Sequence, residues 1–347
     1  MAVELVSKGV QDVYLTSNPE VSFFRQLYKR HTNFTFRNVR LDVQGSLLNS
    51  STINIKIPNK GDLLGYIWID LGALTASGAG INADSATDCA LFELYIGGQL
   101  VDRQDAFYMV NYWNKYLADS SAKPSAASDG GNVLTSTWLP LHFFFCDSVY
   151  LPLVALQYHE VEVRVTFSTS AGGSPSALNF YANYVMLDTD ERAMFVNQDH
   201  ELLVEQVQRI QVNSNKFDLG LLNHPVKCLL WGGDASAAPV ISAVQLYLNG
   251  IEIFNNLMPA VFFRQVQGYH HSEFGNSELQ NVLSFLFMYS FAVKANKHQP
   301  NGSCNFSRMD TAVLSMTVSS GALNYLHAVN FNILRIKKGM AGLAFSN

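Results

Sequence analysis

The chain has 347 residues, of which 48% are hydrophobic and 12% aromatic, while only 15% carry charge, against about 25% in ordinary soluble proteins. A net charge of −5 argues against broad nucleic-acid binding, which calls for a basic face. No apolar run approaches the roughly 18 residues of a membrane-spanning helix, and no basic region followed by an apolar run marks a secretory leader. Few charges without a membrane span imply that much of the surface is buried against other subunits, because charged residues are depleted at interface cores. A compact β-rich enzyme with a neutral surface is the alternative that composition leaves open.

In chain order, Asn18-Pro19-Glu20 opens a predicted helix over residues 18–28, with Asn18 as N-cap, Pro19 at the first helical position and Glu20 in the first turn. The basic cluster Lys29-Arg30-His31, with Arg25 and Arg37 nearby, reads as a solvated strand end. Ser51–Ile57 alternates polar and apolar residues as a half-buried strand does, and apolar runs at Tyr66–Leu71 and Leu91–Ile96 continue the strand pattern. A helix is predicted over Ala106–Leu117 and an exposed loop over Asp119–Asn132, where Ser, Ala and Gly dominate. Val161–Phe167 gives the cleanest alternation. Leu246–Leu248, Ala312–Val318 and Val329–Ile336 are further strands, with a helix at Pro259–Tyr269. Turn signals at Pro58–Gly61, Gly97-Gly98, Asn249-Gly250 and Asn301-Gly302 separate them. Many short strands at this spacing imply an all-β fold of sandwiches or barrels.

Glu93-Leu-Tyr-Ile-Gly-Gly98 resembles Gln245-Leu-Tyr-Leu-Asn-Gly250, displaced by 152 residues. Each follows an apolar run containing Leu-Leu and Trp (Leu63–Trp68 and Leu229–Trp231), and each precedes an aromatic, helix-like segment (Phe107–Trp113 and Val261–Tyr269). The repeat implies two copies of one β-sandwich. The expected boundary falls between Asn197 and Asn213, giving residues 1–200 as an N-terminal segment plus first sandwich and 201–347 as the second.

No chemical constellation rises to a catalytic or metal site. His270-His271 beside Glu273 lacks a third ligand at metal spacing, and adjacent histidines on one strand point to opposite faces. Asp188, Asp190 and Glu191 lack the glycine and terminal glutamate of a calcium loop, so pairing with Arg192 or capping of backbone amides is expected. Asp102, Arg103 and Asp105 contain a carboxylate pair of the kind a glycosidase needs, and a surface ion pair is the ordinary expectation. Cys89, Cys146, Cys228 and Cys304 form no CxxC pair and read as reduced structural thiols of a cytoplasmic product. Sequons at Asn33, Asn49, Asn301 and Asn305 matter only in a secretory context. No GxSxG elbow or phosphate loop is present, so no enzyme, cofactor or metal is expected.

Four blocks carry a family resemblance. They are Gly9–Pro19 with Phe23-Phe24 and Tyr28–Phe34; Leu187–Arg192 with His200–Gln206; Ser290-Phe-Ala-Val-Lys-Ala-Asn-Lys-His-Gln-Pro-Asn-Gly-Ser-Cys-Asn-Phe-Ser-Arg-Met-Asp310; and Ala328–Ile336 with Gly339–Leu343. All four, in the same order, resemble the major capsid proteins of the nucleocytoplasmic large DNA viruses. The resemblance implies a double jelly roll, two tandem eight-stranded β-sandwiches with a few short helices in connecting loops. It further implies homotrimeric, pseudo-hexagonal capsomers tiling an icosahedral virion shell, assembled in host cytoplasm. Partners would be neighbouring capsomers, minor capsid proteins and the internal viral membrane, with no specific nucleic acid. Residues 1–18 would lie at the inner face. Members of the family are mostly longer, so outward loops are expected to be short. Interface and packing candidates on these blocks are Asn18, Pro19, Phe23, Phe24, Tyr28 and Arg30 near the base, and Pro300, Asn305, Phe306, Arg308 and Asp310 in the second sandwich, with Arg308 and Asp310 expected to pair on one strand face. A minor capsid or vertex-associated protein of the same fold, or a carbohydrate-binding β-sandwich, are the competing classes.

Overall fold

Residues that alternate between core and solvent fold as strands, and 161–166 follow the rule: Val161, Val163 and Val165 are buried, while the polar residues between them are partly exposed. The computed structural model describes residues 9–25, 28–71, 81–82, 85–119, 138–147, 149–169, 178–212, 215–234, 237–254, 257–273 and 285–345. Two compact units are present, residues 1–33 and residues 34–347.

The larger unit contains sixteen principal strands. The first eight are β1 (Phe34–Leu41), β2 (Thr52–Ile57), β3 (Leu63–Asp70), β4 (Leu91–Ile96), β5 (Gln99–Asp105), β6 (Trp138–Pro140), β7 (Val161–Thr166) and β8 (Asn179–Leu187). They form two antiparallel sheets, β1-β8-β3-β6 and β2-β7-β4-β5. The second eight are β9 (His200–Gln211), β10 (Lys216–Asp218), β11 (Pro225–Gly232), β12 (Val240–Leu248), β13 (Ile251–Glu252), β14 (Leu286–Ser290), β15 (Ala312–Ser320) and β16 (Tyr325–Lys337). Their sheets run β9-β16-β11-β14 and β10-β15-β12-β13. Adding eight to each strand number of the first pair gives the second pair, so one jelly roll occurs twice. Short ladders at 43–44, 151–152, 258–259, 304–305 and 340–343 extend these sheets.

Each sandwich closes on apolar residues from both of its sheets. Ile53, Ile55, Ile67, Ile69, Phe92, Val163 and Phe180 meet in the first core, and Phe217, Leu229, Trp231, Val244, Leu314 and Leu326 in the second. The repeated hexapeptides are the β4–β5 and β12–β13 hairpins. Gly97-Gly98 and Asn249-Gly250 turn them, all four residues at positive φ, as a two-residue turn between twisted strands requires. The two tryptophans of the repeat are not equivalent: Trp231 is fully buried in the core, whereas Trp68 points outward and stacks on Tyr181 at 4.5 Å.

Between the sandwiches Thr189–Asn197 is helical, with the Asp188 side chain accepting the Thr189 amide at 2.7 Å. Arg192 pairs with Asp62 at 3.1 Å rather than with its acidic neighbours. The helix expected at 106–117 is present; over Tyr108–Leu117 it is π-wound, and the Ala118 amide reaches Trp113 O, five residues back, at 2.8 Å. The second expected helix covers residues 260–271, so His270 and His271 lie on a helix and not on a strand. His271 Nδ1 lies 2.9 Å from Ala292 O, and Glu273 pairs with Lys297 at 2.7 Å. The loop expected at Asp119–Asn132 lies, beyond Asp119, outside the described residues.

Residues 1–33 correct one expectation. The helix is Asp12–Thr16, and Asn18 follows its end with φ +50°. An N-cap needs an extended backbone, whereas left-handed Asn with Pro behind it stops a helix. The same Asn-Pro pair therefore ends a helix instead of opening one, and described residues 18–25 are not helical.

Ile67 and Leu229, on β3 and β11, are both buried to within 1% of full enclosure. Ile67→Ala or Leu229→Ala should each lower stability by about 2–5 kcal/mol, read as a shift in denaturant midpoint. A loss below about 1 kcal/mol at either position would remove that side chain from the core.

Candidate functional site

The chemistry-bearing side chains gather where the two sandwiches meet. Asp105 ends β5 and starts the helix behind it, its Oδ1 accepting the Tyr108 amide at 2.6 Å. Its Oδ2 lies 2.6 Å from His327 Nε2 on β16 and 3.3 Å from Arg209 Nη1 on β9. One carboxylate of the first sandwich is thus held by two basic side chains of the second. Asp102 accepts the Val207 amide of β9 at 2.9 Å, the Arg103 amide at 2.9 Å and Gln104 Nε2 at 2.7 Å. Gln206 donates to Val101 O and accepts from Asn332 at 2.9 Å.

Aromatic residues enclose these polar groups. Tyr108 and Tyr112 lie against the His327 ring at centroid distances of 5.7 and 5.3 Å, and the Tyr116 hydroxyl donates to Leu286 O at 3.1 Å. Cys228, Leu230, Met288 and Val329 of the second sandwich join the first core's apolar cluster. Strands β11 and β14 and the middle of β16 are therefore buried on both faces, while β9 keeps exposed residues at Glu201, Arg209 and Gln211.

This overturns the expected surface ion pair at Asp102, Arg103 and Asp105. Both carboxylates are buried, and Arg103 turns outward to Glu93 at 2.5 Å. Burial pushes the Asp102 carboxyl up to about 7 despite its three donors. Burial also pushes Asp105 up, but the charge and hydrogen bond of His327, the Tyr108 amide and Arg209 outweigh it and hold that carboxyl below its ordinary range. Desolvation pushes the buried Cys228 thiol and the half-buried Cys146 thiol up to about 12, which suits packing groups rather than nucleophiles. Among the described residues no three His, Cys, Asp or Glu side chains are placed to hold a metal ion.

The residues expected from sequence are not brought together in one place. Asn18, Pro19, Phe23, Phe24, Tyr28 and Arg30 are all exposed within residues 1–33. Phe306 is core, while Pro300 is exposed. Asn305 accepts the Ser307 amide at 3.1 Å and caps the single 3-10 turn Phe306–Arg308. Arg308 sits in that turn and not on a strand, so its spacing from Asp310 does not give a shared face, and no ion pair joins them. The Asp310 amide instead donates to Asn249 Oδ1 at 3.0 Å. At the sequon Asn301 the amide is occupied on both sides, accepting from Lys294 N and donating to Lys294 O, each at 3.0 Å. Sequence reasoning missed His327, Arg209 and Gln206; the one available signal was polar residues inside otherwise apolar strands.

Paired jelly rolls with a buried seam define a class, the double jelly-roll viral capsid proteins. A family described as "Major capsid protein N-terminus" matches residues 22–197, and one described as "Large eukaryotic DNA virus major capsid protein" matches residues 232–342. The major capsid protein of Pyramimonas orientalis virus is 33% identical over 99% of both chains, and that of Paramecium bursaria Chlorella virus 1 is 29% identical over 99% of both. Those alignments run over 394 and 447 positions, so both relatives carry insertions relative to these 347 residues. The PBCV-1 virus capsid structure superposes with a TM-score of 0.76 at 24% identity, covering 94% of this chain and 100% of that one. The Faustovirus major capsid protein gives 0.66 at 12% identity over 95% of each. The chain belongs to the major capsid protein family of large eukaryotic DNA viruses.

The raised Asp102 carboxyl sets a pH dependence. Its folded form keeps a proton that the unfolded chain releases near the ordinary value of 3.8, so its contribution to stability falls as pH rises from about 4 to about 7. Asp102→Asn removes that titration. The melting temperature of the variant minus that of the parent should therefore climb between pH 4 and 7.5, and a flat difference would mean that Asp102 is ionised in the fold.

Proposed function

We propose that this chain is a major capsid protein that assembles as a homotrimer, three copies placing six similar sandwiches around one axis as a pseudo-hexagonal capsomer. The observation that carries this reading is the duplication itself: the strand order of residues 34–187 recurs in residues 200–337. A shell tile with near-sixfold outline packs edge to edge on the flat faces of an icosahedron. Closed symmetry demands two complementary patches on each copy, and obligate contacts bury about 2,000 Å² or more. A chain with only 15% charged residues suits that demand.

On the same reading, residues 1–200 and 201–347 are the two building blocks, the first including the N-terminal segment. The sheets support this, since each draws its strands from one side of Thr189–Asn197. The chain acts in the virion shell as a structural component and not as an enzyme, after assembly in host cytoplasm. Neighbouring capsomers, minor capsid proteins and the internal membrane are its partners. The exposed apolar residues of the first 33, among them Tyr14, Leu15, Phe23, Phe24 and Tyr28, are the contacts offered at the inner face. Pro300, Asn305, Arg308 and Asp310 are the corresponding contacts of the second sandwich, with Phe306 packed beneath them. Relatives matched along the whole chain and named major capsid protein favour this over a minor shell component or a sugar-binding sandwich.

Light scattering on the purified chain should give three times 38.5 kDa, with hexagonal outlines in negative stain; a stable, folded monomer would sink the capsomer. Removing residues 1–12 should leave the trimer intact and impair incorporation into particles, and loss of the trimer would refute the inner-face role.

A further inference from the structure

The two jelly rolls can be superposed residue by residue without appeal to sequence, because they share a β-bulge. On β3 the pair Gly65-Tyr66 stands opposite Asn183 alone, between the pairings Leu64↔Tyr184 and Ile67↔Ala182. On β11 Lys227 is the extra residue beside Cys228↔Val329, between Val226↔Asn330 and Leu229↔Ala328. Aligning the bulges places Tyr66 on Cys228, Trp68 on Leu230 and Tyr181 on His327. The neighbouring ladders then place Arg40 on Arg209, through Arg40↔Tyr181 and Arg209↔His327.

In the second sandwich this outer face is covered by the first sandwich, through β5, helix 108–117 and the segment after β6. In the first sandwich the same face is partly open among the described residues, with Trp68 and Tyr181 half-buried. Tyr66 is 43% exposed, Arg40 is exposed, and the face opens into a cleft of about 640 Å³ lined by Tyr66, Trp68, Trp113 and Trp138. The covering elements have counterparts as well: β13, helix 260–271 and the segment after β14. On the first sandwich their aromatic side chains, such as Tyr108 and Tyr112, are buried in the seam. On the second, Leu257, Val261, Val266 and Tyr269 remain 39–60% exposed. One chain thus carries an unused seat and an unused plug, each the copy of a part already joined.

We propose that the seat is filled by the plug of a second copy of this chain: the face around Tyr66, Trp68 and Tyr181 receives Leu257 and helix 260–271 of the next copy. This rests on the trimeric reading and specifies the contact that closes it. The contact is heterologous, a form that closes into a ring, with intrachain and interchain seams alternating. Counting from the two hairpin turns puts Leu257 at the position of Asp105, so the plug carries no carboxylate there.

The test uses the full chain with benzoylphenylalanine replacing Tyr66, irradiated after assembly and mapped by mass spectrometry. Cross-links to residues 257–273 of another copy are expected. In parallel, Tyr66→Glu and Val266→Glu should each weaken assembly about tenfold or more, with melting curves like the parent's. A trimer that cross-links elsewhere, or that both glutamates leave unchanged, overturns this contact and leaves the trimer standing. A folded monomer of the parent chain overturns both.

Discussion

The contact between Asp105 and His327 organises the larger unit, because a carboxylate this deeply buried must be matched on every side. Removing one member of such a pair costs about 3–5 kcal/mol through the charge left uncompensated, so it tolerates little change in how the two sandwiches meet. Asp105 also begins helix 108–117, and that helix brings Tyr108, Tyr112 and Tyr116 to the seam. The helix start, the ring contacts to His327 and the Arg209 bridge therefore stand or fall together. Gln206, Asn330 and Asn332 extend the polar layer. A greasy seam alone would resist sliding poorly; directional hydrogen bonds give it a fixed register.

Much of the architecture was legible from periodicity. Thr52–Ile57 and Val161–Thr166 alternate because one face meets a core and the other meets water, and the Gly97-Gly98 and Asn249-Gly250 turns announced equivalent hairpins. Strands that break the alternation were harder. All but the first residue of β11 are fully buried, since its outer face lies under the other sandwich, and β1 is exposed along most of its length. Neither pattern has a period of two. Asp102 and Asp105 were read as surface charges because local sequence carries no trace of a partner more than 100 residues away. Asn18-Pro19 was misread for a different reason: the same residues serve at both ends of a helix, and only the backbone angle tells which. The family blocks named Phe306 and Asn305 as interface and packing candidates, and their local roles, a core ring and a turn cap, depend on contacts that local sequence does not carry.

Duplication followed by divergence explains why equivalent positions differ in chemistry. Arg209 faces a carboxylate across the seam; its equivalent, Arg40, has no ion-pair partner among the described residues. His327 is locked between tyrosines, while its equivalent, Tyr181, stacks half-buried on Trp68. The polar version of the surface is joined within the chain, where the partner is always present. The aromatic version is left where a partner must be found, and buried aromatic contacts of that kind concentrate binding energy.

The order of strands along the chain also has a consequence for synthesis. The first sandwich has all its strands once residue 187 has left the ribosome, yet its seam surface waits for His327, 140 residues later. At about 5–20 residues per second, Asp105 and the tyrosines of helix 108–117 stay uncovered for roughly 7–28 s. A nascent chain with an aromatic face open for that long is the species most exposed to misassociation with its neighbours on the same message, and the stage at which a folding helper would act.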